Sequence, residues 1–328
     1  MILSEKTILL RNMVRDFVDK EVIPNAPKYD AGGEFPVALN DKAIDMGLGC
    51  MYMPERFGGP ELSKVDYCVL MEELGRGDIG LATTLAATCL ASLPVMIGGT
   101  EAQQEQWFNL VQRHNYAAFC LTEPEAGSDA ANVKTTAVQD GDDYVISGTK
   151  CFITNGAYAG VYAVFASTDR TKGVRGLTCF IVERSRRGIS TGKEEDKMGM
   201  RLSNTTEVVF EDVRIPKENR IGAEGQGFML AMKTLDAARP GVGSIGVGLG
   251  RRALEEAVKY SKQRVQFGKP ISANQAIQFM LADMAIELES ARQCALHAAQ
   301  LADAGLPYTL EASIAKTKGG DVGMKCAI

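Results

Sequence analysis

Apolar residues recur at helical spacing over the first 115 positions, alternate with polar ones through the middle, and return to helical spacing after Pro216. Leu10, Val14, Phe17 and Val18 form one stripe, which Pro24 and Pro27 are expected to end. Tyr67, Leu70, Met71 and Leu74 form a second, broken by Gly75 and Gly77. The run "LATTLAATCLASLPVMI" (81–97) is the most apolar stretch, and an amphipathic segment from Glu101 to Val111 follows it. The run is short for a bilayer, rich in Thr and Ala, and carries Pro94, so it predicts a buried core helix and not a membrane span.

The character changes near Ala117. "YVISGTKCFITNG" (144–156), "VYAVFAS" (161–167), "GLTCFIVE" (176–183) and "TTEVVFEDVRI" (205–215) are rich in β-branched and aromatic residues and bounded by turn formers. Short strands at this spacing predict a compact antiparallel sheet or barrel. Beyond Pro216 a long helix is expected from about Pro240 to Gln266. After the Gly268–Pro270 break, Ile277, Met280, Leu281, Met284 and Leu288 share one stripe. A last helix begins near Leu310 and meets no stop signal before Ile328, so the C-terminus reads as cut inside an element. The fold class is therefore α+β: an all-helical N-terminal domain (1–116), a middle β domain (117–222) and an incomplete C-terminal helical bundle (223–328).

Composition narrows the function. A chain of 328 residues with 36 Lys+Arg against 41 Asp+Glu carries a net charge of −5 and no basic block. That argues against nucleic acid and anionic membrane as partners, since both need clustered cations. The eight cysteines make no CxxC pair, and His114 and His297 lie far apart, so no zinc site is expected. The thiols read instead as small buried hydrophobes in a reducing compartment. Glu5, Lys6 and Arg11 interrupt any apolar leader, and a cytoplasmic location follows as an expectation.

The loop "FCLTEPEAGSDAA" (119–131) holds Glu123, Glu125 and Asp129. Acid/base work needs two carboxylates facing a substrate with their pKa values pushed apart. Here the acids are spread around Pro124 and Gly127, which favours a turn, solvated or bonded to backbone N–H groups, over catalysis. The glycines at 241, 243, 246, 248 and 250 predict close helix packing; no strand precedes them, so they are not a phosphate loop.

Five ordered blocks resemble the acyl-CoA dehydrogenase family of flavoenzymes: "LTEPEAGSDAA" (121–131), "ISGTKCFITNG" (146–156), "KEEDKMGMRLSNTTEVVFEDVRIPKENRIG" (193–222), "GQGFMLAMKTLDAARPGVGSIGVG" (225–248) and "QRVQFGKPISANQAIQFMLADMA" (263–285). They cover essentially the whole chain, and the family's α–β–α architecture agrees with the periodicity. The resemblance implies FAD-dependent desaturation of an acyl-CoA thioester between Cα and Cβ to the trans-2-enoyl-CoA. A glutamate takes the α-proton, the β-hydrogen leaves as hydride to FAD, and an electron-transfer flavoprotein receives the electrons. The enolate oxygen needs hydrogen bonds and the flavin a dry site.

The same resemblance implies roles for residues. Phe119, Leu121 and Thr122 line the flavin, Ser128 contacts the CoA part, and Phe152, Ile153 and Thr154 match the family's W-I-T flavin contacts, with Phe where Trp is common. Asp236 and Arg239, in the segment Asp236-Ala237-Ala238-Arg239 at the expected start of the long helix, match substrate contacts. Arg264, Phe267 and Gln275 match FAD contacts supplied by a neighbouring subunit, which implies a homo-oligomer, dimer or tetramer. The family's late glutamate turn and the preceding glycine-rich FAD segment are not found, so the expected base lies beyond residue 328. The alternative position for the base, directly before Arg239, holds Ala238. A catalytically incompetent fragment or a flavin- or acyl-CoA-binding protein is the competing expectation. Ala82 and Ala86 leave room for a butyryl, medium, branched or cyclic acyl group, and Leu81 argues against a dicarboxylic one.

Overall fold

The computed structural model describes residues 2–112 and 115–328, so His114 lies outside the described residues. In chain order the elements are α1 (Glu5–Phe17), α2 (Ile23–Gly32), α3 (Val37–Asp45), α4 (Lys64–Gly77), α5 (Ile79–Gly98), α6 (Glu101–Val111), β1 (Tyr116–Cys120), β2 (Thr136–Asp140), β3 (Asp143–Thr154), β4 (Ala159–Ser167), β5 (Leu177–Glu183), β6 (Ile189–Glu194), β7 (Thr205–Pro216), β8 (Arg220–Ile221), α7 (Gly227–Gln263), β9 (Val265–Gln266), β10 (Lys269–Pro270), α8 (Gln275–Asp303) and α9 (Thr309–Ala327). The helix–sheet–helix order expected from the periodicity is borne out. The chain forms two compact units: Met1–Gly32 with Leu62–Ala82 and Asp236–Ile328, and Gly33–Glu61 with Thr83–Leu235.

The first unit is helical. Ser4 caps α1 by accepting from Thr7 N at 3.1 Å, and α1 passes through a π-turn (Val18–Val22) directly into α2. The prolines expected to end the helix do not. Pro24 follows directly on the π-turn, Asn25 Nδ2 donates to Glu21 O at 2.7 Å, and Pro27 is accommodated inside α2. Glycines bring α4, α7 and α9 together, as their spacing predicts. A Cβ at Gly243 would overlap Ala315 O, one at Gly248 would overlap Glu72 O, and one at Gly250 would meet Leu288 Cδ2 at 2.8 Å. The α8 stripe packs inward only at its far end: Leu288 is buried beside Val247, Val322 and a partly buried Met284, whereas Met280 is 62% exposed.

A buried charge network ties the helices of this unit. Glu73 of α4, 1% exposed, accepts from Arg15 Nη2 (2.7 Å) and from Arg251 Nη2 (2.5 Å). Glu72 accepts from Arg251 Nη1 (2.7 Å) and Arg292 Nε (2.9 Å). Burial pushes the Glu73 carboxyl up, but the two guanidinium partners outweigh it and hold the group below the usual glutamate range.

The second unit is built on one sheet in the order β6-β7-β3-β2-β4-β5-β8, with β1 added on β4. Most pairings are antiparallel, but β1 runs parallel to β4, and Thr136 of β2 pairs parallel with Ser167. Alternation within a strand cannot distinguish these directions, because the side-chain period is two in both. One face packs Tyr144, Ile146, Tyr162, Phe180 and Phe210; the other packs Phe165, Leu177 and Ile181 with Trp107 and Phe108 of α6. The apolar window of α5 is 72% buried within the chain, which agrees with a core helix. Seven of the eight cysteines are buried, as small hydrophobes.

The expected start of α7 near Pro240 is corrected. The helix begins at Gly227 because Phe228, Leu230 and Ala231 pack into the second unit's core. Asp236–Arg239 therefore lie inside α7, where Pro240 has no N–H to offer the Asp236 carbonyl.

Candidate active site

In the second unit the chain brings two separated blocks together. Strand β1 carries Phe119 and leads into Leu121 and Thr122, whose carbonyl oxygen accepts from Cys151 N at 3.0 Å. Residues 121–122 thereby run alongside the end of β3. The β3–β7 register shifts between Lys150 and Ile153, and Phe152 sits at φ 56°. That is a bulge with a bulky residue in the left-handed region, a costly conformation that concentrates at functional sites. It turns the Phe152 ring outward, 64% exposed, while Ile153 stays buried and Thr154 half-buried. Phe119 packs its ring on Phe165, centroids 4.9 Å apart, and Thr122 is half-buried. Two aromatic rings and two hydroxyls thus lie on adjacent segments.

The acids of the loop are either bonded to backbone N–H groups, as Glu123 is, or exposed, as Glu125 and Asp129 are, which is what a turn predicts. Glu123 and Ala126 exchange backbone hydrogen bonds of 3.1 Å in both directions, closing a turn over Pro124 and Glu125. The Glu123 carboxylate is buried and accepts from Lys134 N (2.6 Å), Thr135 N (3.0 Å) and Lys150 Nζ (2.7 Å). Burial pushes this carboxyl up, and Lys150 with the backbone donors pulls it below the ordinary range. It is a held anion, not a general acid. Glu125 pairs with Lys134, and Ser128 and Asp129 are exposed. Burial raises the Cys120 thiol to about 12, leaving it an un-ionised core residue.

The first unit holds the other expected residues. Asp236 accepts from Arg239 Nη1 and from Thr309 Oγ1 (2.8 Å), so Arg239 is held by an ion pair one turn away on α7. Arg264 follows the end of α7, and its carbonyl oxygen accepts from Ile271 N at 2.9 Å across the β9–β10 hairpin. The hairpin turns on Phe267 (φ 52°) and Gly268 (φ 75°). Two successive positive φ values are what a two-residue turn between twisted strands requires. A phenylalanine in such a turn, 100% exposed, has no packing role within the chain. Gln275 opens α8 and is exposed, as is Arg264.

Three family matches divide the chain. "Acyl-CoA dehydrogenase, N-terminal domain" matches residues 4–113, the middle domain of the same family matches 118–213, and its C-terminal domain matches 225–328. This chain belongs to the acyl-CoA dehydrogenase family. The short-chain-specific acyl-CoA dehydrogenase of Megasphaera elsdenii is 44% identical over 319 residues, covering 95% of this chain and 83% of the relative. The solved butyryl-CoA dehydrogenase of Megasphaera elsdenii superposes with a TM-score of 0.96 at 42% identity, covering 99% of this chain and 87% of that one. A chain solved in work on the electron transferring flavoprotein of Acidaminococcus fermentans and flavin-based electron bifurcation gives a TM-score of 0.97 at 42% identity, covering 99% and 86%. Membership makes the chain an FAD-dependent oxidoreductase of acyl-CoA thioesters.

Sequence reasoning missed two residues here. Lys150 is fully buried on β3, and Asn155, at φ 64°, donates from Nδ2 to Thr84 O (2.9 Å) and Ala117 O (3.4 Å). The signal for Lys150 was present: with Tyr144 and Ile146 facing the core, position 150 shares their face, and a lysine there requires buried partners.

Proposed function

We propose that this chain binds FAD and catalyses the α,β-dehydrogenation of a short-chain acyl-CoA such as butyryl-CoA, passing electrons to an electron-transfer flavoprotein. The observation that carries the site assignment is the bulge at Phe152, which turns an aromatic ring outward beside Thr122 at a cost that nothing in the chain's own packing requires. The residues suit the cofactor: Phe119 and Phe152 offer flat apolar faces, Thr122 and Thr154 offer hydroxyls for the polar ring edge, and Leu121 helps exclude water. FAD, when bound, supplies the acceptor for the hydride from Cβ.

The remaining roles follow the chemistry of the side chains. Arg264 offers paired donors for a pyrophosphate, with Phe267 and Gln275 beside it, acting on the cofactor of a neighbouring subunit in a dimer or tetramer. The exposed apolar residues Phe267, Phe279, Met280 and Ile286 support such an assembly. Ser128, Asp236 and Arg239 are assigned to the acyl-CoA. Ala82 and Ala86 are buried small residues, and they are assigned to the acyl chain. We assign no proton-abstracting base within residues 1–328. The 1–116, 117–222 and 223–328 divisions are kept as the functional domains, and cytoplasm as the location, supported by eight cysteines with no disulfide.

The experiment is an absorbance and fluorescence titration of the purified chain with FAD, followed by butyryl-CoA. A saturable flavin complex whose visible band butyryl-CoA perturbs, and glutaryl-CoA does not, is the expected result. A chain that leaves FAD unbound at high micromolar concentration would overturn the assignment.

A further inference from the structure

We infer that Lys150 and Glu123 form a positioning pair that sets the spacing between the two walls of the flavin site, Leu121–Thr122 on one side and Phe152–Thr154 on the other. The inference rests on the site assignment proposed above and adds residues that touch neither cofactor nor substrate. Lys150 reaches across the sheet with its side chain fully buried, and each of its three ammonium hydrogens has an acceptor: Leu121 O (3.1 Å), Phe165 O (2.6 Å) and Glu123 Oε1 (2.7 Å). Leu121 belongs to one wall. Phe165 backs the ring of Phe119. Glu123 closes the turn that follows Thr122 and is itself held by Lys134 N and Thr135 N.

A buried ion pair seldom stabilises a fold more than well-packed apolar residues of the same size, because desolvation offsets the Coulomb attraction. Stability alone therefore gives no reason for a lysine at this inward-facing strand position, where a methionine would pack. What the ammonium provides, and a methyl group cannot, is three directed bonds that lock the Leu121 carbonyl against β3. The Cys151 N–H to Thr122 carbonyl bond (3.0 Å) lies directly beside this lock, and the bulge carrying Phe152 follows at once. At the other end of the same segment, Asn155 Nδ2 reaches Ala117 O and Thr84 O. Strand β1 is thus stapled at both ends to residues 150–155, and the walls can separate only if a buried polar bond breaks.

The test compares the full chain with Lys150→Met, Glu123→Gln and the double variant, using Phe152→Ala as a control for the site assignment. Amide exchange at Cys151 in the flavin-free chain should rise at least about tenfold in Lys150→Met, because the bond it reports loses its neighbour's restraint. FAD affinity should fall about tenfold, and the visible circular dichroism of the bound flavin should change shape. The double variant, which buries no charge, should regain thermal stability without regaining the wild-type flavin dichroism. If Lys150→Met does not fold, the double variant, which removes the same lock and buries no charge, carries the same three readouts. A folded Lys150→Met chain with wild-type exchange at Cys151 and wild-type flavin dichroism would overturn the pair's role while Phe152→Ala still weakens FAD. If Phe152→Ala leaves FAD binding and spectrum untouched, the site assignment fails and the positioning role falls with it.

Discussion

Gly243 of α7 and Gly319 of α9 meet backbone to backbone: a Cβ on Gly319 would overlap the Gly243 carbonyl oxygen and lie 2.5 Å from its Cα. Neither helix can yield by rotating a side chain, because the obstructing atoms are main chain. In an isolated helix Gly→Ala gains about 1 kcal/mol. Here overpacking, which costs about 1–3 kcal/mol in cores where side chains can shift, acts on rigid backbone and should win. Gly319→Ala is expected to lower unfolding stability by about 2 kcal/mol in a urea titration. Gly320→Ala one residue on, where a Cβ meets nothing within 4 Å, should be neutral or stabilising.

Phe152 separates binding from folding. Its ring is exposed, so Phe152→Ala should change stability by no more than about 0.5 kcal/mol. FAD affinity should nevertheless fall about tenfold, since aromatic contact with a ligand is lost. Phe152→Trp should keep FAD bound and shift the flavin absorption. Paired thermal melts and FAD titrations check both outcomes, and parallel losses of stability and affinity in Phe152→Ala would contradict the separation.

Arg264 tests the assembly. The residue is exposed within the chain, and Arg264→Ala should leave secondary structure and melting of the flavin-free protein unchanged. Loss of a charge-assisted contact to phosphate should weaken FAD about 10- to 100-fold. Arg264→Lys keeps the charge without the paired donors and should fall between. Isothermal titration with FAD at low and high salt distinguishes the three proteins.

Acid should strike the helical unit through Glu73. Its carboxyl is held below its ordinary value by Arg15 and Arg251, so the folded state binds the proton less readily than the unfolded state. The stabilisation is therefore complete above the unfolded value of about 4.3 and is lost as pH falls through the lower folded value. Glu73→Gln should remove that part of the acid dependence while lowering stability at pH 7 by about 2 kcal/mol, because Arg251 keeps only Glu72 and the half-exposed Arg15 loses its carboxylate. Urea melts from pH 3 to 7 on both proteins measure the difference.

What the sequence by itself determined is what depends on local period and on ordered motifs. The helical and strand regions, the close packing of the 241–250 glycines, the burial of the cysteines and the family resemblance are all written in short-range spacing. Helix ends at prolines were less legible: Pro24 is tolerated directly after the π-turn, and Pro240 because Phe228, Leu230 and Ala231 pack ahead of it and α7 continues beyond it. Tertiary structure alone decided the parallel docking of β1 on β4 and the bulge that turns Phe152 outward. It also decided the partners of two cations: the buried Lys150, whose acceptors lie 15 to 29 residues away in sequence, and the partly buried Arg251, whose carboxylates lie 178 and 179 residues away. A buried charge must find a partner wherever the fold supplies one, and no spacing rule along the chain encodes that choice.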